Sequence, residues 1–224
     1  MIIGGVDEAG RGPVIGPLVV AGVSIDDCLL KKLQSLVKDS KQLSPKRREK
    51  LYPLIKKLCR KIVVEIIDPN EIDRWITSFK GGLNLLEAEV FSRIINELNA
   101  DLVYVDSCDV KPQRFSDRIK RKITPGIKVV SENKADEKYA IVSAASIVAK
   151  VLRDREIEKL KSVYGEIGSG YPSDWKTINF LKKYYVEKGS FPPFTRKSYK
   201  TIQRLINEIR GNVSFNEQGF FRKG

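Results

Sequence analysis

The chain has 224 residues, 42% of them hydrophobic, enough for one sizeable core or a core with a smaller appendage. Its 41 Lys and Arg against 28 Asp and Glu give a formal charge of +13, which points to a polyanionic partner, nucleic acid being the commonest, with a solvated basic surface as the alternative. Histidine is absent, which excludes Ser-His-Asp triads, Cys-His pairs and His-ligated zinc, and the three cysteines Cys28, Cys59 and Cys108 form no C-x-x-C pair, which excludes a disulfide framework or a thiolate zinc site.

Taken in chain order, Ile2–Val6 reads as a short strand ending at Asp7, Leu18–Ile25 as a second and Ile62–Ile67 as a third. Ser44-Pro45 opens a helix carrying Leu51, Leu54, Ile55 and Leu58 at helical spacing, with a kink expected at Pro53. Asp68-Pro69 with Glu71 starts another, and Asn84 with Glu87 starts a third, whose apolar face holds Leu85, Val90, Phe91, Ile94 and Leu98. Leu102–Val105 is a buried-type strand ending at Asp106, and Ile127–Val130 is a further one.

From Glu137 to about Lys161 runs one long helical pattern. Its first half, "YAIVSAASIVAKVL", is apolar on nearly every side and predicts a buried central helix; its second half, "RDREIEKLK", predicts an exposed one. Gly165, Gly168, Gly170 and Pro172 form a loop, and two helices follow, at about Ser173–Lys188 and Ser198–Arg210. Strands first, then alternating helices and strands, indicate an α/β domain with a mixed sheet. The expected organisation is a catalytic unit over 1–167, a helical subdomain over 168–210 and a flexible tail over 211–224. No apolar run approaches a membrane span, and no secretory signal pattern opens the sequence, so a soluble, cytoplasmic protein in a reducing compartment is expected.

Without histidine, hydrolytic chemistry must come from carboxylates, lysine, tyrosine or metal-bound water, and hard metals such as Mg2+ or Mn2+ suit carboxylates. Asp7, Glu8, Asp106 and Asp136 stand at strand ends or at a helix start, the end of an open α/β sheet where ligands bind. Asp136 also reads as a helix N-cap and Asp106 as the start of a turn; the adjacent Asp7 and Glu8 have no such local use. Two carboxylates about 4 Å apart repel by roughly 4 kcal/mol at an effective dielectric near 20, and a divalent cation reverses that sign. A Walker loop is the competing reading of the glycine-rich start. Gly5 and Gly10 have its spacing, but Arg11-Gly12 stand where Lys and Ser or Thr are required.

The stretch "GVDEAGRGPVIGPLVVAGV" resembles the signature of type 2 ribonuclease H (ribonuclease HII), in its archaeal form. The similarity continues through "DSKQLS", "NLLEA", "YVDS", "SENKADEKYAIVSAASIVAKVLRD" and "GSGYPSD", in family order, from residue 4 to about residue 200. The resemblance implies a ribonuclease H-like fold with a five-stranded mixed sheet and a C-terminal helical subdomain. It implies cleavage of RNA in RNA·DNA hybrids, and cleavage 5′ of a ribonucleotide embedded in duplex DNA. Asp7, Glu8, Asp106 and Asp136 take the place of the catalytic, metal-binding acids. Gly10, Arg11 and Gly12 match the loop that senses the 2′-hydroxyl, and Tyr171 matches the tyrosine that stacks on the next sugar, its own local reading being a loop tyrosine packed on the core. Lys41, Lys134, Arg196, Lys197 and Ser198 match positions that bind the substrate backbone.

Two features depart from the family pattern. Trp175 stands where many relatives have proline. Phe220-Phe221 resembles a sliding-clamp anchor but lacks the usual spacing of glutamine, aliphatic residue and aromatic pair, so the expectation leans against clamp binding. A monomer is expected. The rival readings are a non-catalytic hybrid-binding protein and a resolvase- or transposase-type nuclease. Cys108 is expected to be a small buried residue, not a reactive thiol.

Overall fold

The computed structural model describes residues 1–37 and 43–219, with side chains as far as residue 210. Five strands, β1 (Ile2–Ala9), β2 (Leu18–Asp26), β3 (Lys61–Ile67), β4 (Leu102–Asp106) and β5 (Lys128–Glu132), form one sheet in the order β3-β2-β1-β4-β5. The β1–β2 and β2–β3 pairs are antiparallel, and the β1–β4 and β4–β5 pairs are parallel. This is the expected mixed sheet. The strand β1 does not stop at Val6: it pairs with β2 through Asp7, Glu8 and Ala9, so both acids lie inside the strand instead of after it.

Helices cover both faces. On one side lie α1 (Leu30–Val37), α2 (Pro45–Leu58) and α7 (Ala140–Tyr164); on the other lie α3 (Pro69–Ser78), α4 (Gly82–Leu98) and α5 (Pro112–Lys120). Alternation along β2 sends Val19, Ala21, Val23 and Ile25 to the first core and Leu18 and Val20 to the second. Two glycines let helices lie directly on the sheet. A Cβ on Gly5 would sit 2.5 Å from the Ile141 carbonyl of α7, and one on Gly22 would sit 2.3 Å from Ile94 Cγ2 of α4.

Helix starts follow their caps. The Ser44 hydroxyl accepts from Arg47 N and the Asp68 carboxylate from Asn70 N, each followed by proline at the first helical position. Helix α2 runs through Pro53 without a break. The long helix differs from expectation. A short α6 (Ala135–Lys138) comes first, Tyr139 leaves helical geometry, and α7 then begins. The exposed second half of α7 holds two buried exceptions, Arg153 and Ile157. Helices α8 (Trp175–Lys188) and α9 (Lys200–Gly219) enclose a third core with Val14, Ile15 and Ile157. Helix α9 extends past the expected end at Arg210; the remainder of the expected tail lies outside the described residues. Among the described residues no helix is long and apolar enough to cross a membrane.

Candidate active site

The parallel register that pairs Val6 with Val105 brings the ends of β1 and β4 together, and with them Asp7 and Asp106. Asp106 Oδ1 accepts from Ala135 N at 2.8 Å. The acid that meets the start of α6 therefore comes from β4. Asp136, read locally as an N-cap, instead follows Ala135 in the first turn, with Lys134 in the cap position at φ 58°. That hydrogen bond holds the start of α6, whose next residue is Asp136, against the end of β4.

Alternation along β1 separates the two adjacent acids. Asp7 shares the α7 face with Gly5, while Glu8 shares the α4 face, where its charged neighbour is Glu87. Asp7 is 4% exposed. Burial, and next the Asp106 carboxylate, push its carboxyl up to about 7, against the opposing pull of the Ser146 hydroxyl, the Glu8 N–H and the Lys150 charge. The Glu8 N–H donates to Asp7 Oδ1 at 2.7 Å, and Lys150 Nζ donates to Ser146 Oγ at 2.8 Å. Burial pushes the Glu8 carboxyl well above the usual range, and Asp7 and Glu87 add to it. Its Oε2 is buried and has no hydrogen-bond partner among the described residues.

Among the described residues no three acidic or thiol groups are gathered closely enough to hold a metal ion as they stand. The chemistry nonetheless fits a hard divalent cation: the donors are all oxygens, one is a buried acceptor without a partner among the described residues, and burial with neighbouring carboxylates raises the proton affinity of Asp7 and Glu8, a cost that a cation would offset.

The glycine-rich loop turns immediately after β1, with Gly10 at φ 92°, a conformation that favours glycine. Arg11 folds back onto α4. Its Nη1 donates to Glu87 Oε2 and its Nη2 to Asn84 Oδ1 at 2.6 Å. Glu87 is wholly buried, and burial pushes its carboxyl up while Arg11 pulls it back. The sequence marks Asn84 and Glu87 as a helix start and as part of the "NLLEA" block but not as partners of Arg11; a glutamate on the apolar side of α4 is the signal of a buried cationic partner.

Tyr171 is 42% exposed, not packed into the core. Its ring faces Gly12, where an added Cβ would lie 3.7 Å away, and the Arg153 guanidinium carbon sits 5.5 Å from the ring centroid. Glu8, Gly10, Arg11, Gly12 and Tyr171 thus line one cleft of about 440 Å³, together with Arg48, Lys150, Arg153 and Asp154.

The remaining expected contacts divide. Lys134 is exposed, with its ammonium 3.9 Å from Glu137. Lys197 is exposed, and Asp73 accepts from its backbone N and from the N and Oγ of Ser198. Arg196 does not reach the surface. Fully buried, it donates from Nε to Gly16 O at 3.0 Å and from Nη1 to Arg11 O and to Tyr199 Oη. Its place is behind the loop, supporting it. Lys41 lies outside the described residues. The exposed Trp175 opens α8, whose cap forms without proline because Asp174 Oδ1 accepts from Lys176 N at 3.0 Å. Burial and the Glu87 carboxylate push the Cys108 thiol far up, which disfavours the reactive thiolate.

The ribonuclease HII family model matches residues 4–202. A ribonuclease HII from Thermococcus onnurineus is 48% identical over 233 residues, covering 100% of both chains. The crystal structure of the ribonuclease H2 from Pyrococcus horikoshii superposes with a TM-score of 0.87 at 48% identity, covering 94% of this chain and 99% of that one. The ribonuclease HII in a PCNA complex from Archaeoglobus fulgidus gives 0.82 at 45% identity, covering 91% and 96%.

Proposed function

The chain belongs to the ribonuclease HII family and is a ribonuclease H, a phosphodiester hydrolase, and from that premise we propose that it cleaves the RNA strand of RNA·DNA hybrids and duplex DNA 5′ of a single embedded ribonucleotide. The observation that carries this reading is the shared cleft: Glu8 near the end of β1 lines it beside a glycine–arginine loop and an exposed tyrosine ring, with Asp7 and Asp106 brought together at the adjoining strand ends.

In this reading Asp7, Glu8, Asp106 and Asp136 hold two divalent cations, Mg2+ or Mn2+. Bound there, the cations supply activation of a water for in-line attack and stabilisation of the leaving 3′-oxygen. The water oxygen ends on the 5′-phosphate, the bond from phosphorus to the 3′-oxygen breaks, and that oxygen takes a proton, leaving 3′-hydroxyl and 5′-phosphate ends. Backbone groups of Gly10, Arg11 and Gly12 approach the sugar closely and hydrogen-bond its 2′-hydroxyl, while Arg11 is held by Glu87 and Asn84. A site built around a hydroxyl rejects its absence strongly, because its polar groups would then be unpaired. Tyr171 stacks on the following sugar. Lys134 and Lys197 meet phosphates without reading bases. A sliding clamp enters as a partner through the Archaeoglobus relative, whose structure is a complex with PCNA; the candidate anchor here, Phe220-Phe221, lies outside the described residues.

The test is incubation with Mg2+ and four substrates: a hybrid, a DNA duplex with one ribonucleotide, plain duplex DNA and a four-way junction. Cleavage of the first two only, on the 5′ side of the ribonucleotide in the second, is expected. Cleavage of the junction, or binding to the hybrid without cleavage, would replace this reading with one of its rivals.

A further inference from the structure

Arg153 is an unusual residue to bury. It is 5% exposed, and its Nε and Nη2 are buried with no hydrogen-bond partner among the described residues. A buried charged group with unmet donors costs the fold free energy. Stability alone therefore does not account for an arginine at this point of α7.

Its neighbours suggest another reason. A Cβ on Gly10 would lie 2.4 Å from Arg153 Nε and 2.5 Å from its Cδ, so the side chain packs flush beneath the loop. On the other side the guanidinium lies over the Tyr171 ring, and Gly170 comes within 3.4 Å of Nη2 by the same measure. Gly12 in turn faces that ring. One planar cation thus lies against both the Gly10 end of the loop and the tyrosine ring.

We propose that Arg153 is the positioning residue that sets the spacing between the Gly10–Gly12 loop and the Tyr171 ring across the cleft. The inference rests on the reading of that loop and ring as the part that senses a ribonucleotide. Planarity matters as much as charge: a guanidinium can stack on a ring and lie flat under a glycine, whereas an ammonium is a compact point charge. Arg196, the other buried arginine behind the loop, bonds its backbone carbonyls and so fixes the loop itself; Arg153 fixes the loop relative to the tyrosine.

The test uses the full chain and two readouts. In Arg153→Met, which keeps a stem of similar length, the NMR signals of the Tyr171 ring should shift, and kcat/KM on the single-ribonucleotide duplex should fall roughly 10-fold, the scale of a desolvated cation–π contact. The melting temperature should be unchanged or higher. Arg153→Lys should recover part of the activity, because the charge returns without the plane. The reciprocal variant Tyr171→Leu should shift the Arg153 Nε–H resonance, and it decides the matter if Arg153→Met does not fold. Tyr171 signals identical to wild type in Arg153→Met, or an unmoved Arg153 resonance in Tyr171→Leu, would overturn the proposal. A shifted ring with unchanged cleavage would support the positioning and instead remove the sensing role given to the loop.

Discussion

An acidic wall and a basic wall stand in and behind the cleft, and they hold their charges differently. On the acidic wall, burial raises the affinity of Asp7 and Glu8 for protons, neighbouring carboxylates add to it, and a buried oxygen of Glu8 has no donor among the described residues. On the basic wall, the Arg196 guanidinium donates to Gly16 O, Arg11 O and Tyr199 Oη but leaves its Nη2 without a hydrogen-bond partner, and two Arg153 donors likewise have none among the described residues. In the proposed reading the acidic wall is completed by a ligand from outside. The basic wall lies within the chain and packs against the loop proposed to receive the substrate. Unmet polar groups thus mark function on both sides, but only one side implies a cofactor.

Breaking the acidic wall should have the largest effect. Asparagine at position 106 can still accept from Ala135 N, so Asp106→Asn should fold and bind a hybrid at least as well as wild type, because a negative charge beside the phosphates is gone. Its cleavage rate should fall by on the order of 10²–10³-fold or more. Near-normal turnover would remove Asp106 from the catalytic set.

The basic wall should respond in stability. Arg196→Met leaves Gly16 O without its side-chain donor and Arg11 O with the Tyr199 hydroxyl as its one remaining side-chain donor among the described residues, and should cost about 2 kcal/mol in denaturant unfolding. Arg153→Met should cost nothing comparable. Equal losses in the two variants would erase the distinction between a cation that supports the loop and one that spaces it.

Much of this architecture is legible in the sequence. The five strands stand out as β-branched runs, and Ser44-Pro45 and Asp68-Pro69 announce their helices because cap and first turn are local chemistry. Helices α1 and α5 escape notice. Helix α5 has no side-chain cap to announce it, although Pro112 followed by Phe115 and Ile119 at helical spacing is a usable sign of it. The break at Tyr139 is invisible because the apolar pattern runs through it.

In the site, the four acids and the loop could be read from motif and position, but their supporting residues could not. Arg153 belongs to a charged stretch that reads as solvent-facing, Glu87 to a helix start, and Arg196 to a basic segment that reads as surface. A charge is buried by a partner distant in sequence, and periodicity carries no information about such partners.

The central claim, that the acidic wall awaits a divalent cation, is tested most directly by thermal unfolding of wild type and Asp7→Asn across pH, in chelator and then with Mn2+. The Asp7 carboxyl titrates near 3.8 when unfolded and at about 7 when folded, so folding takes up a proton between those values. Its favourable contribution is complete below about 4 and is lost as pH rises through about 7. In chelator above pH 7, Asp7→Asn should therefore be the more stable by about 2–4 kcal/mol, with the gap closing towards pH 4. Adding Mn2+ at that higher pH should raise the melting temperature of wild type and raise that of Asp7→Asn far less. A wild-type chain indifferent to the cation, or an Asp7→Asn chain that gains as much, would contradict the account.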